Sequence, residues 1–199
     1  MITKRSLSAL LLVLIAISFF PLGQQNAIAK SDDPIVVSMT FDGPLTPVWR
    51  TYLQRGIDQT VSQDAELLVI QLNTPGGAVD LMNSLVQQIL ACPVPVVVYV
   101  SPQGAMAASA GTLLVLAGDY AAMSPDSVIG AASPVGMQGE DIETTLESKT
   151  KEILRASVRS MAERRGEEAV RLAEEAIENA KAASANEALA VNLVDFIAS

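Results

Sequence analysis

The stretch Leu67-Leu68-Val69-Ile70-Gln71-Leu72-Asn73-Thr74-Pro75-Gly76-Gly77 is a nearly all-apolar run that stops at a proline–glycine turn. A short apolar run bounded by turn residues reads as a strand buried on both faces, as in a parallel sheet. After the turn, Leu81, Met82, Leu85, Val86, Ile89 and Leu90 recur at the spacing of an amphipathic helix, predicted over Ala78–Cys92. Pro95–Val100 is another buried strand. Upstream, Ile35–Thr40 predicts a strand and Asp42-Gly43-Pro44 a turn. Thr46-Pro47 looks like an N-cap followed by proline at the first helical position, with a helix to about Ser62. This alternation implies an α/β fold, a mostly parallel sheet covered by helices.

Downstream, Gly104–Leu116 reads as a loop of small residues entering a buried helix. A short strand near Tyr120–Met123 and an irregular segment, Ser124–Gly139, follow. Charged amphipathic helices are predicted over Thr144–Arg165 and Glu167–Asn179. Ser184, with Glu187 three residues on, predicts a capping box, and Leu193-Val194 begins a terminal strand. No linker interrupts these elements, so residues 30–199 are expected to form one domain.

The 199 residues are half apolar, enough for a real core and too apolar for disorder. Acidic residues outnumber basic ones, 22 to 13, which argues against general nucleic-acid binding. There is no histidine, so a Ser-His-Asp triad, a Cys-His pair and His-ligated zinc are all excluded. The single cysteine, Cys92, has no disulfide partner and reads as a small buried hydrophobe. No metal cluster, nucleotide loop or cofactor motif is visible, and no cofactor is expected.

Lys4 and Arg5 precede an apolar run from Leu7 to about Phe20, and Ala27-Ile28-Ala29 closes the polar stretch after it. Those are the parts of a secretory signal peptide, with cleavage after Ala29. The run is short for a membrane-spanning helix, which needs about 20 apolar residues. An uncleaved N-terminal anchor is the alternative. The protein is expected to be exported, periplasmic or extracellular.

Two glycine-containing loops each follow a strand and precede a helix. One is Pro75-Gly76-Gly77; the other is Gly104-Ala105-Met106-Ala107-Ala108-Ser109-Ala110-Gly111. Such loops aim backbone N–H groups into a shared crevice and can hold an oxyanion. Ser109 presents its hydroxyl where the second helix begins, with small neighbours that leave room for a substrate carbonyl. Ser101 and Ser133 lack such a loop and read as loop residues.

These motifs carry a resemblance. Leu68–Gly77 resembles the oxyanion strand-turn, and Gly104–Thr112 the nucleophile loop, of the Clp protease and signal peptide peptidase A superfamily, whose fold is Clp-protease/crotonase-like. Met123-Ser124-Pro125 through Ile129–Val135 is closer still to the NfeD-type, stomatin-associated serine proteases. Ala188–Asp195 resembles the ending common in the superfamily. The resemblance implies a serine endopeptidase with Ser109 as nucleophile and Lys149 as general base. The N–H groups of Gly77 and Ala110 would be the oxyanion donors. It implies hydrophobic, membrane-associated substrates, with stomatin-like proteins as candidates, and assembly into a homodimer or a higher homo-oligomer. Asn73 and Asn192 stand where the family usually has Asp and Gly. NfeD proteins usually continue into membrane helices and a small β-barrel domain.

A lysine acts as a base only when neutral, which requires enclosure. Lys149 lies among Glu147, Lys151 and Glu152, which also reads as a solvated helix face; Lys151 is the rival base. Residues 137–149 are therefore expected to fold over the crevice as a mobile lid. Two other readings share this sequence: a crotonase-like acyl-CoA enzyme, and a secreted scaffold that binds hydrophobic segments without cutting them.

Overall fold

In a computed structural model describing residues 33–135 and 144–199, the chain follows the expected strand–helix alternation. β1 (Val36–Asp42) leads to α1 (Val48–Ser62), β2 (Leu67–Asn73), α2 (Val79–Leu90) and β3 (Val96–Val100). Next come β4 (Met106–Ala108), α3 (Ala110–Ala117), β5 (Tyr120–Met123) and β6 (Val128–Gly130). Then follow α4 (Thr144–Ala162), a 3-10 turn at Glu163–Arg165, α5 (Glu167–Glu178), β7 (Ala182–Ser184), α6 (Ala185–Ala190) and β8 (Phe196–Ile197). One sheet has the order β1-β2-β3-β5-β8, with every neighbouring pair parallel. A second has the order β4-β6-β7, the first pair parallel and the second antiparallel. The expected leader and the first part of the expected lid lie outside the described residues. Pro34–Ser199 is one compact unit.

The large sheet buries one face. Val37, Met39 and Phe41 of β1, Leu68, Ile70 and Leu72 of β2, and Val96, Val98 and Val100 of β3 point inward. Phe41, Ile70 and Leu72 meet Trp49 and Leu53 of α1, Leu85 and Ile89 of α2, and Leu114 of α3 around one point of the core. Phe41 and Trp49 pack edge to face with ring centroids 4.7 Å apart. The alternate residues Leu67, Val69, Val97 and Tyr99 are only half-buried, which corrects the expectation of strands buried on both faces. α1, α2 and α3 gather on one side, while the other carries an open cleft of about 570 Å³ lined by Thr40, Gln71 and Tyr99 among others.

Other departures are local. Pro47, not Thr46, holds the cap position of α1; its φ of −56° is already helical, and Trp49 N–H donates to the Thr46 carbonyl. β4 and β6, read as loop and irregular chain, satisfy their backbone groups by pairing with each other. The terminal strand is Phe196–Ile197, later than expected, and Leu193 and Val194 are core residues. Asn192 sits at φ +59° just past α6, a left-handed position that asparagine tolerates nearly as glycine does.

Every residue of α3 is buried, as befits a helix in the middle of a fold. Its one polar side chain, Thr112, is fully buried. The Thr112 hydroxyl accepts from Gly130 N–H at 3.1 Å and lies 3.0 Å from the Ala107 carbonyl and 3.1 Å from the Gly130 carbonyl. It thus joins α3 to both β4 and β6. At the C-terminal end, Arg165 pairs with Asp195 at 2.7 Å, and Asp195 also accepts from Ala121 N–H, closing the chain onto β5.

β7 hands over to α6 through the expected capping box. Ser184 N–H and Oγ donate to Glu187 Oε2 at 2.8 and 2.7 Å, and Ser184 Oγ accepts from Glu187 N–H at 3.3 Å.

Thr112→Val leaves the buried Gly130 N–H without its acceptor. A loss of about 1–3 kcal/mol in urea unfolding is expected; an unchanged midpoint would show that Thr112 joins nothing. The Ser184 donors hold the Glu187 carboxyl below its ordinary pKa. Its contribution is therefore complete above the unfolded value, about 4.3, and is lost as pH falls through the lower folded value. The gap in melting temperature between the parent and Glu187→Gln is expected to be constant at neutral pH and to narrow in acid. A gap that widens in acid would contradict this.

Candidate active site

The site forms where β2 ends. Thr74 is fully buried and bridges to Ala107 in parallel. Its N–H donates to the Met106 carbonyl at 2.7 Å, and its carbonyl accepts from Ala108 N–H at 3.0 Å. Its hydroxyl accepts from Gly76 N–H at 3.0 Å and folds the turn back on itself. The second loop is thereby laid directly against the first.

Gly76 makes the closest approach. Its φ is +108°, a conformation that favours glycine. A Cβ on Gly76 would stand 2.6 Å from Ser109 Cβ and 3.0 Å from Ser109 Oγ. Gly77 is backed by Leu45, whose N–H donates to the Gly76 carbonyl at 2.9 Å. The two glycine loops, far apart in sequence, thus meet at the serine hydroxyl.

Ser109 is half-buried at φ 54° and ψ −122°, a sparsely populated conformation for a residue with a side chain. Its N–H donates to the Gly130 carbonyl at 2.8 Å, and its carbonyl accepts from Thr112 N–H at 3.0 Å. It occupies the cap position of α3, yet its hydroxyl makes no capping hydrogen bond. A serine there ordinarily spends its oxygen on the helix; this one does not. Ala110 N–H is first in α3 and has no intrahelical partner by the geometry of a helix. Among the described residues, neither Gly77 N–H nor Ala110 N–H donates to another backbone group. Of the other serines, Ser133 donates its hydroxyl to the Ile177 carbonyl at 2.6 Å, and Ser101 lines the open cleft on the far face of the large sheet.

The two lysines of α4 have different surroundings. Lys151 pairs with Glu147 at 2.9 Å, and that hydrogen bond pushes its pKa up, away from what a base needs. It begins a basic row, Lys151, Arg155 and Arg159, at helical spacing. Arg159 donates to Glu174 of α5 at 2.7 Å, and Arg155 lies 3.8 Å from both Glu174 and Glu178. Lys149 is exposed on a different face. Among the described residues, no hydrogen bond or ion pair joins it to Ser109. The C-terminal ends of α3 and α4 meet in a groove lined by Leu116, Ala117, Ser160 and Met161. α4 buries Leu154, Val158 and Ala162 against the core.

The structure therefore joins Gly76, Ser109, Gly130 and Thr112; among the described residues no hydrogen bond or ion pair ties Lys149 to them. Gly76 and Thr112 lie within the quoted motifs, yet no local signal marks which one touches the hydroxyl. Gly130 enters through a β4–β6 pairing that three-residue strands cannot announce. Among the described residues, no group of three His, Cys, Asp or Glu side chains is placed to hold a metal, and no helix is long and apolar enough to cross a membrane.

Residues 37–195 match the family model described as NfeD1b, N-terminal domain. The membrane-bound protease PH1510 of Pyrococcus horikoshii is 34% identical over 167 residues, which are 82% of this chain and 37% of that protein. The chain thus spans little more than a third of that relative. Two solved variants of the 1510-N membrane-bound stomatin-specific protease superpose with a TM-score of 0.76. The serine-to-alanine variant is 32% identical and covers 83% of this chain and 80% of its own. The lysine-to-alanine variant, in complex with a substrate peptide, is 31% identical and covers 84% and 76%. ClpP1 from Listeria monocytogenes, 17% identical, superposes with a TM-score of 0.66 over 81% of this chain and 91% of its own, a likeness of fold. By sequence and by fold alike, the chain is homologous to a membrane-bound stomatin-specific protease and belongs to the NfeD1b N-terminal domain family.

Proposed function

We propose that the chain is an exported or N-terminally anchored serine endopeptidase that cleaves hydrophobic segments, with stomatin-like membrane proteins as candidate substrates. Ser109 is the nucleophile, Lys149 the general base, and the N–H groups of Gly77 and Ala110 the oxyanion donors. The observation that carries this reading is the contact of Gly76 with Ser109, at a helix start where the hydroxyl caps nothing. The neighbours solved as serine-to-alanine and lysine-to-alanine variants, the latter with a substrate peptide, support the pairing of residue types.

In the first step neutral Lys149 takes the Ser109 proton as Oγ bonds to the scissile carbonyl carbon. The carbonyl oxygen becomes an oxyanion held by the two N–H groups. Its collapse expels the amine, which takes the proton from Lys149 and leaves an ester on Ser109. Water, deprotonated by the same lysine, then hydrolyses that ester. Lysine starts from a pKa of about 10.4, so the step needs its ammonium desolvated. Leu146 and Ile153, 54% and 65% exposed, lie three and four residues from Lys149 on one side of α4. An apolar substrate laid over them would exclude water from the lysine between. Assembly into a homodimer or higher oligomer would add further cover.

Cleavage of a panel of hydrophobic peptides by the full chain tests the dyad. Ser109→Ala and Lys149→Ala are each expected to cut the rate at least about a thousandfold, while Lys151→Ala stays within a few-fold of the parent. Cleavage that survives Ser109→Ala would sink the reading. Silence from all the folded proteins would favour a binding scaffold. Gly76→Ala is expected to abolish cleavage too, because the new methyl group takes the space of the Ser109 side chain; full activity in that variant would mean the two loops need not touch.

A further inference from the structure

Asn73, where the motif departs from the family's usual aspartate, is half-buried at the end of β2. Its Oδ1 accepts from Met106 N–H at 3.0 Å, and its Nδ2 donates to Asp42 Oδ1 at 2.8 Å. Asp42 is its register partner on β1. A carboxylate only accepts, so Asp42 fixes which way the amide points: nitrogen to β1, oxygen to β4. The Met106 carbonyl is tied as well, to Thr74 N–H. Both backbone polar groups of Met106 are therefore held by consecutive residues, Asn73 at the end of β2 and Thr74 just past it. Met106-Ala107-Ala108 then runs straight into Ser109.

We propose that Asn73 and Asp42 are a positioning pair that fixes the start of the nucleophile strand and, through it, the placement of Ser109. The proposal rests on Ser109 being the nucleophile. Neither side chain touches the reacting atoms. Aspartate at position 73 would still accept from Met106, but would set two carboxylates at hydrogen-bond distance with no proton between them. The asparagine is matched to Asp42, and the departure from the family pattern is compensated within this chain.

The test compares hydrolysis of a fluorogenic leucine-rich peptide by the full-length parent, Ser109→Ala, Asn73→Asp and the swapped pair Asp42→Asn with Asn73→Asp. In the swap the amide at position 42 donates to the carboxylate at position 73, and the clamp is rebuilt with its polarity reversed. Asn73→Asp is expected to lower kcat about tenfold with KM unchanged, the signature of a misplaced nucleophile, and the swap to restore it to within about threefold. Asn73→Ala, which removes the acceptor without adding charge, carries the same expectation for kcat should Asn73→Asp not fold. Parent-like kcat in both single variants at position 73, or a swap as slow as Asn73→Asp, overturns the positioning role while Ser109→Ala remains dead. Hydrolysis that survives Ser109→Ala overturns the nucleophile reading, and the positioning role with it.

Discussion

The site depends on one contact, between a carbon that carries no side chain and a hydroxyl: Gly76 against Ser109. Both residues sit at positive φ, +108° and 54°. Only the glycine does so without strain. A serine held there costs on the order of 1–3 kcal/mol, which the surrounding structure must offset. The offset is visible. Ser109 N–H is bonded to Gly130, its carbonyl to Thr112 N–H, and Thr112 is itself clamped between β4 and β6. The fully buried α3 behind the serine cannot yield without opening the core.

This gives the small second sheet a reason to exist. β6 presents the Gly130 carbonyl to Ser109, and β7 holds β6 from the other side through pairs such as Val128 with Ser184. Ser184 caps α6, and the chain beyond α6 returns to β5 through Asp195 and Arg165. A path of hydrogen bonds therefore runs from the C-terminal segment to the strained serine. Residues far from the site in sequence bear on where its hydroxyl points.

Much of this was legible in the chain. Leu67–Leu72 and the valines of Pro95–Val100 are apolar runs of strand length, and their flanking turns set that length. Ser184 and Glu187 announce a capping box because that motif is local. What was not legible is what tertiary pairing alone creates. β4, β6 and β7 are three residues each, below the reach of any periodicity. The half-open second face of the large sheet was missed because an apolar strand reads alike whether one face or both are covered. Ser109 stood out through its loop, but its φ, its unused hydroxyl and its contact with Gly76 belong to the meeting of two loops. Asn73 departs from the family's usual aspartate, and the partner its amide donates to, Asp42, lies thirty-one residues earlier, beyond any local signal.

The choice between the two lysines turns on the same kind of local matching. Lys151 is part of an ion-pair row that joins α4 to α5, and Glu147 stabilises its charged form. To become a base it would have to give up that partner and undergo desolvation as well, two changes of the same unfavourable sign. Lys149 has no such pair among the described residues. Its neighbours three and four residues away, Leu146 and Ile153, are apolar and exposed. Glu152 also lies three residues on, paired with Arg155 at 3.0 Å, and covering that face would desolvate the ammonium that the proposed mechanism needs neutral. In the proposed dyad such an arrangement would couple reactivity to occupancy. An apolar segment that covers Leu146 and Ile153 would supply the desolvation that the proposed base requires.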